Sequence, residues 1–231
     1  MLARRSLSLL SVLALIGLAT PAPAVDTITT TTTVESFDNG GNEGAWTFGT
    51  GNETIEVDGG NPGAYLRDRS LVTFTPRAST SFGVASAFTG DFAARGVSSV
   101  GIDLAVASAS GNYTGRTLTL ILLNDNGTPN DLADDWGAYT VTALPLPPSG
   151  VIGLADILQW RSYDIPVPAS SRSLPTGWKW ISRNTLRPNG SWGRLMRDVD
   201  HVGFQFGDPE LLYPLFNWDV AMDNPRITTS N

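Results

Sequence analysis

Along most of this chain apolar and polar residues alternate one for one, a period that suits extended strands and not helices. Val100, Ile102, Leu104 and Val106 are separated by Gly101, Asp103 and Ala105. Leu118, Leu120 and Leu122 alternate with Thr117 and Thr119, and Tyr163, Ile165 and Val167 repeat the pattern. So do Val202, Phe204 and Phe206, and finally Phe216, Trp218, Val220 and Met222 against Asn217, Asp219, Ala221 and Asp223. Successive side chains on a strand point to opposite faces, so each run offers one apolar face to a core. Turn-forming clusters separate the runs: Asp38 to Asn42, Asp58 to Gly63, Asn124 to Asn130 and Arg187 to Gly190. Many short strands with Gly/Pro turns predict an all-β, two-sheet antiparallel β-sandwich. Only Trp192 to Val199 reads as a short helix.

The first 24 residues stand outside this pattern. Arg4 and Arg5 precede an apolar run from Leu7 to Leu18, and Ala22-Pro-Ala24 follows. That order of basic, apolar and small residues is an export signal, and the apolar run, about 12 residues, is short of the roughly 20 a spanning helix needs. The product is expected to be secreted, extracellular, periplasmic or on the cell surface, with no membrane insertion. Residues 25–33 form a Thr-rich lead-in whose threonines equally begin a first strand, and 34–231 read as a single domain. The chain carries a net charge of −7, and without Arg4 and Arg5 about −9. Nucleic-acid binding needs basic surface to displace counterions, so that partner is excluded. There is no cysteine. Stability must then come from core burial, and zinc–thiolate sites and cysteine nucleophiles are ruled out.

Asp58-Gly-Gly-Asn-Pro-Gly63 fits a type II turn at Pro62-Gly63, because proline presets the first central angle and glycine accepts the positive second one. On the residues alone it is a plain turn or a ligand loop. Glu35-Ser-Phe-Asp38, Gly44-Ala-Trp46 and Asp58 to Leu66 together resemble the opening of laminin B modules (laminin domain IV) and their bacterial secreted relatives. Phe88 to Asp91, Ile102 to Leu104, Asp134 to Gly137, Leu174 to Trp178 and Trp218 to Ile227 follow in the order of those relatives. The resemblance implies a jelly-roll sandwich related in shape to carbohydrate-binding modules, with a structural calcium ion. Calcium takes six to eight oxygens. The resemblance would gather Asp38, Asp58 and Asp223 with the Asn61 carbonyl, Glu35 being a substitute; Asp223 and Asn224 otherwise simply end the last strand. Laminin modules sit among cysteine-rich repeats, which this chain lacks.

A second acidic stretch, Leu122 to Asp135, fails as an EF-hand loop: Leu122 stands at the first ligand position and Ala133 at the bidentate one. It reads as a solvated acidic loop. Trp46 and Trp218 lie in strand-like runs and read as core. Trp136, Trp178, Trp180 and Trp192 lie near glycines, prolines and charges, as stacking platforms for sugar rings or as plugs of a sandwich end. Trp178 and Trp180 share one face if that segment is extended. His201 reads as a half-exposed residue at a strand end. Neither Gly-x-Ser-x-Gly nor His-Glu-x-x-His occurs, and carboxylate pairs such as Asp198/Asp200 or Asp219/Asp223 are not diagnostic by spacing. The expected function is non-enzymatic binding of a polysaccharide or an envelope or matrix surface. The alternatives are a structural matrix protein without a small ligand, and a polysaccharide hydrolase or lyase on the same fold.

Overall fold

The computed structural model describes residues 29–150, 157–182 and 190–230, so the expected export signal and part of the Arg187 to Gly190 turn lie outside the described residues. Two antiparallel sheets face each other, as the alternation predicts. The first holds β3 (Thr54–Glu56), β4 (Tyr65–Thr73), β12 (Phe216–Ser230), β6 (Val97–Ala109) and β9 (Arg161–Pro166) in that order, and β1 (Thr30–Val34) also pairs with β12. The second holds β10 (Trp178–Ser182), β8 (Trp136–Pro145), β7 (Thr117–Asn124), β11 (His201–Phe206), β5 (Arg77–Thr80) and β2 (Trp46–Thr47). Apart from the consecutive pairs β3–β4 and β7–β8, neighbours in each sheet are distant in sequence, the crossed connectivity of a jelly roll.

The inward faces are those that the periodicity marks. Val100, Ile102, Leu104 and Val106 from β6 meet Leu118, Leu120 and Leu122 from β7 in one core, joined by Val202, Phe204 and Phe206 from β11. The ring of Phe206 meets Trp218 edge-on at 6.3 Å between centroids, tying the second sheet to the first. Burying a large apolar side chain stabilises by about 1.5–3 kcal/mol, so a core of this size replaces cross-links. The predicted helix is one turn, α1 (Trp192–Leu195), capped by the Ser191 hydroxyl accepting from the Arg194 N–H at 3.2 Å. Among the described residues no helix is long and apolar enough to cross a membrane.

The last strand does not end at Asp223 and Asn224. It runs on to Ser230, and its register against β6 shifts between Asp223 and Arg226. Asn224 sits at this bulge with a φ of 45°, a left-handed conformation that asparagine tolerates better than most residues. The kink turns the Asn224 backbone N–H to Asp223 Oδ1 and its side chain to the Asn61 carbonyl, which fixes one corner of the molecule.

Candidate functional site

The outward faces of the two sheets differ in kind. On the first sheet the outward side chains neutralise one another. Arg67 donates to both oxygens of Asp219, at 2.7 and 2.8 Å. Arg226 donates to Asp103 at 2.8 Å and to Asp164 at 2.7 and 2.8 Å. Trp160 covers part of this face, its ring edge-on to Tyr65 and its Nε1–H donating to the Gly59 carbonyl at 3.0 Å.

The Asn61 corner lies on the same face. Asp223 is wholly buried there, and its carboxylate accepts from the backbone N–H groups of Asn61 and Asn224. Burial, reinforced by the charges of Asp103 and Asp38, pushes its pKa up to about 6. A Cβ on Gly60 would stand 2.7 Å from Asp223 Oδ2, so only glycine lets the loop approach this closely. Gly63 has the positive φ, 93°, that the type II reading requires, and the Asn61–Pro62 bond is cis. The loop is held from outside: the Asn61 carbonyl accepts from Asn224 Nδ2 at 2.6 Å, and the Ala64 N–H points to Asp38 Oδ1 at 3.5 Å.

Of the expected metal ligands, Asp38, Asn61 and Asp223 therefore meet at this corner; Asp38 and Asp58 are both exposed, and Asp223 is buried. The carboxylate beside Asp223 is instead Asp103, already saturated by Asn61 Nδ2, Asn224 Nδ2 and Arg226. Glu35 is occupied too, accepting from the Phe37 and Gly44 N–H groups. Among the described residues no group of three or more His, Asp or Glu side chains is arranged to hold a metal.

The tryptophans expected as a platform face inward. Trp136 and Trp178 are each 8% exposed and Trp192 1%, all within the core, and Trp180 is half-buried against it. Trp178 and Trp180 do share one face of β10, but register decides which: Trp180 lies opposite Ala138, a core residue. Trp178 packs edge-on against Trp192 at 4.8 Å, and Trp136 lies 6.2 Å from Trp180. Trp136 Nε1 donates to Asn124 Oδ1 and Trp192 Nε1 to the Pro168 carbonyl, both at 3.0 Å. These rings plug the sandwich. The charged residue between the two β10 tryptophans, Lys179, is the sequence signal for their inward direction.

The outward face of the second sheet carries what those tryptophans were expected to supply. Ile121, Leu123 and Tyr139 form an apolar strip with Phe82, Val141 and Ile181 partly buried beside it. Phe82 stacks flat on His201, centroids 4.0 Å apart and planes 5° from parallel. His201 is thus buried, not half-exposed, because Phe82 from the loop after β5 lies over it. The Tyr139 hydroxyl donates to Glu210 at 2.9 Å, and Lys179 pairs with the other oxygen of that carboxylate at 2.6 Å. Gly203 is buried, and a Cβ there would stand 3.3 Å from Ser79 Cβ, 3.4 Å from Arg77 Nε and 3.5 Å from His201 Nε2, so the strand packs closely here. Gln205 completes the row, opposite Arg77 on β5. Ile121, Leu123, Tyr139 and His201 are themselves buried, and Phe82, Val141, Ile181, Gln205 and Lys179 are the residues that keep surface exposed on this face, mixing apolar and polar groups.

At one end of that face, the acidic loop folds onto Asn124. Its Nδ2 donates to Asp198 at 3.1 Å and Asp200 at 2.9 Å, so both carboxylates crowd one amide. Burial, with the charges of Asp198 and Asp125, pushes the Asp200 pKa up to about 6.

No family model matches the chain, and no curated protein does, so the laminin B resemblance stands on its motifs alone. Among solved structures, the chain is similar to an exo-β-agarase, with a TM-score of 0.43 and 15% identity over 83% of this chain. It spans only 24% of the agarase's length. It is similar also to a family 11 carbohydrate-binding module from Clostridium thermocellum, in complex with a β-1,3-1,4-mixed-linked tetrasaccharide, at a TM-score of 0.36 and 12% identity over 89% of this chain and 90% of that one. A third is SGBP-B from a xyloglucan utilization locus in Bacteroides uniformis, at 0.35 and 17% over 84% of this chain and 48% of that one. These are distant likenesses in fold.

The Asp200 shift has a measurable consequence. A carboxyl whose folded pKa lies above its unfolded value adds stability below the unfolded pKa and loses it as pH rises through the folded one. Thermal unfolding should therefore show a loss of stability between about pH 4 and pH 6 from this group. Asp200→Asn, which keeps an acceptor for Asn124, should flatten that part of the profile; an unchanged profile would contradict the burial of this charge.

Proposed function

We propose that this chain is an exported, non-enzymatic glycan-binding module that holds a polysaccharide along the outward face of its second sheet. The observation that carries the reading is the contrast between the two faces. On the first, arginines and aspartates are bound to each other. On the second, Phe82, Val141, Ile181 and Gln205 keep part of their surface exposed over a buried strip of Ile121, Leu123, Tyr139 and His201. Pyranose rings present apolar C–H faces that stack on flat side chains, while their hydroxyls bond to groups such as Gln205, Lys179 and Glu210. The laminin B-type motifs and the basic–apolar–small N-terminus belong to the same reading and give it an extracellular setting.

The test is retention in affinity gels containing mixed-linkage β-glucan, xyloglucan, non-crystalline cellulose or agarose. Retention is expected in at least one gel; Phe82→Ala should weaken it about tenfold, the loss of one stacking surface, and Gln205→Ala should weaken it as well by removing a hydrogen-bonding group. Trp178→Phe, a core change away from the face, should leave it intact. Retention that survives both face variants, or none in any gel, would overturn the reading.

The proposal includes a calcium ion at the Asn61 corner beside Asp38 and Asp223, which on binding would take Asp223 oxygens now accepting from the Asn61 and Asn224 N–H groups. Chelator should then lower the melting temperature by several degrees. Superimposable melts would remove the ion and leave the sheet face untouched.

A further inference from the structure

A cleft of about 500 Å³ opens at one end of the sandwich, between the β6–β7 loop, the proline-rich run after β8 and the first residue of β9. That volume lies within the range of small-ligand sites, roughly 300–1,000 Å³. Tyr113, Pro147 and Pro148 form an apolar wall, and Asn112 and Ser149 add polar groups. The wall is rigid: the Tyr113 hydroxyl donates to the Pro147 carbonyl at 2.9 Å, and its ring packs 5.3 Å from the core residue Trp218. Among the described residues one charged side chain lines the cleft, Arg161.

Arg161 differs from the other arginines of this sheet. Arg67, Arg69 and Arg226 each pair with a carboxylate, at 2.7, 3.0 and 2.7 Å. Among the described residues Arg161 has no ion pair, and its Nη1 donates to the Pro145 carbonyl at 2.8 Å. That bond anchors the guanidinium and leaves other donors of its fork for a ligand. In a chain of net charge −7, a cleft whose charge among the described residues is positive is a local reversal of sign. A planar guanidinium takes a carboxylate through two parallel N–H bonds, which a point charge does not reproduce.

We infer that this cleft binds a carboxylated sugar, a uronic acid residue, with the carboxylate on Arg161 and the ring against Tyr113 and the prolines. The sugar class rests on the glycan-binding reading; the site is separate from the sheet face and takes the end or a branch of a chain rather than its length.

The experiment is calorimetric titration of the full chain with digalacturonate, with a neutral galactose disaccharide and with acetate. Digalacturonate is expected to bind and the other two not. Arg161→Gln should weaken it about tenfold or more, the loss of a charge-assisted pair. Arg161→Lys, which keeps the charge and the anchoring donor, should also weaken it because the fork is gone. Phe82→Ala should leave it unchanged. Equal binding of the neutral disaccharide or of acetate would overturn the assignment, as would full affinity in both Arg161 variants. Loss of digalacturonate binding in Phe82→Ala would transfer it to the sheet face and overturn the end site. Failure of the sheet-face reading registers elsewhere, in polysaccharide retention that ignores Phe82.

Discussion

The structure depends on the final strand. Fifteen residues long, β12 pairs with β4 on one side and β6 on the other, and its C-terminal half takes β1 as well. Its inward residues Trp218, Val220 and Met222 join the two sheets into one core. Its outward residues Asp219 and Arg226 anchor the ion pairs that close the first sheet to solvent. Without this strand neither the core nor the closed face would exist. A strand that must be fully paired on both edges, packed on one side and charge-neutralised on the other has little freedom left for recognition.

That division of labour assigns the faces. Buried charges are tolerated only when paired, and the first sheet pairs its arginines with aspartates. The second sheet carries few charges outward among the described residues, chiefly Arg77 and the Lys179–Glu210 pair, and leaves Phe82, Val141 and Ile181 partly exposed above the buried Tyr139 and His201. Loops rather than strands supply Phe82 and Glu210. The fixed sheet therefore provides the floor, and the connections adjust what lies on it, a common arrangement when one scaffold serves different ligands.

The sheets were legible in the sequence because the period of two is stated directly by runs such as Val202-Gly-Phe-Gln-Phe206. The same run also names the outward residues Gly203 and Gln205. What could not be read was which tryptophans face water. Trp178 and Trp180 were rightly placed on one face, but the direction of that face follows from pairing with Ala138 across β8, a contact 42 residues away. The Asn61 corner divides likewise. Asp38 and Asp223 come to one loop in keeping with the family-like motifs, while Asp103 takes the place expected of Asp58 because the β6–β12 register sets it directly opposite Asp223. His201 shows the same limit: its burial comes from a loop residue, Phe82, that no periodicity marks.

A nuclear magnetic resonance titration of the isotope-labelled chain with an oligosaccharide of whichever polysaccharide retains it tests the assignment of faces most directly. The shifts are expected to concentrate on outward positions of β7, β8 and β11, with Tyr139 and Gln205 among the largest, and on Phe82. Shifts gathered instead around Arg67, Asp103 and Arg226 would contradict it, because they would place the ligand on the face whose charges are already spent on one another.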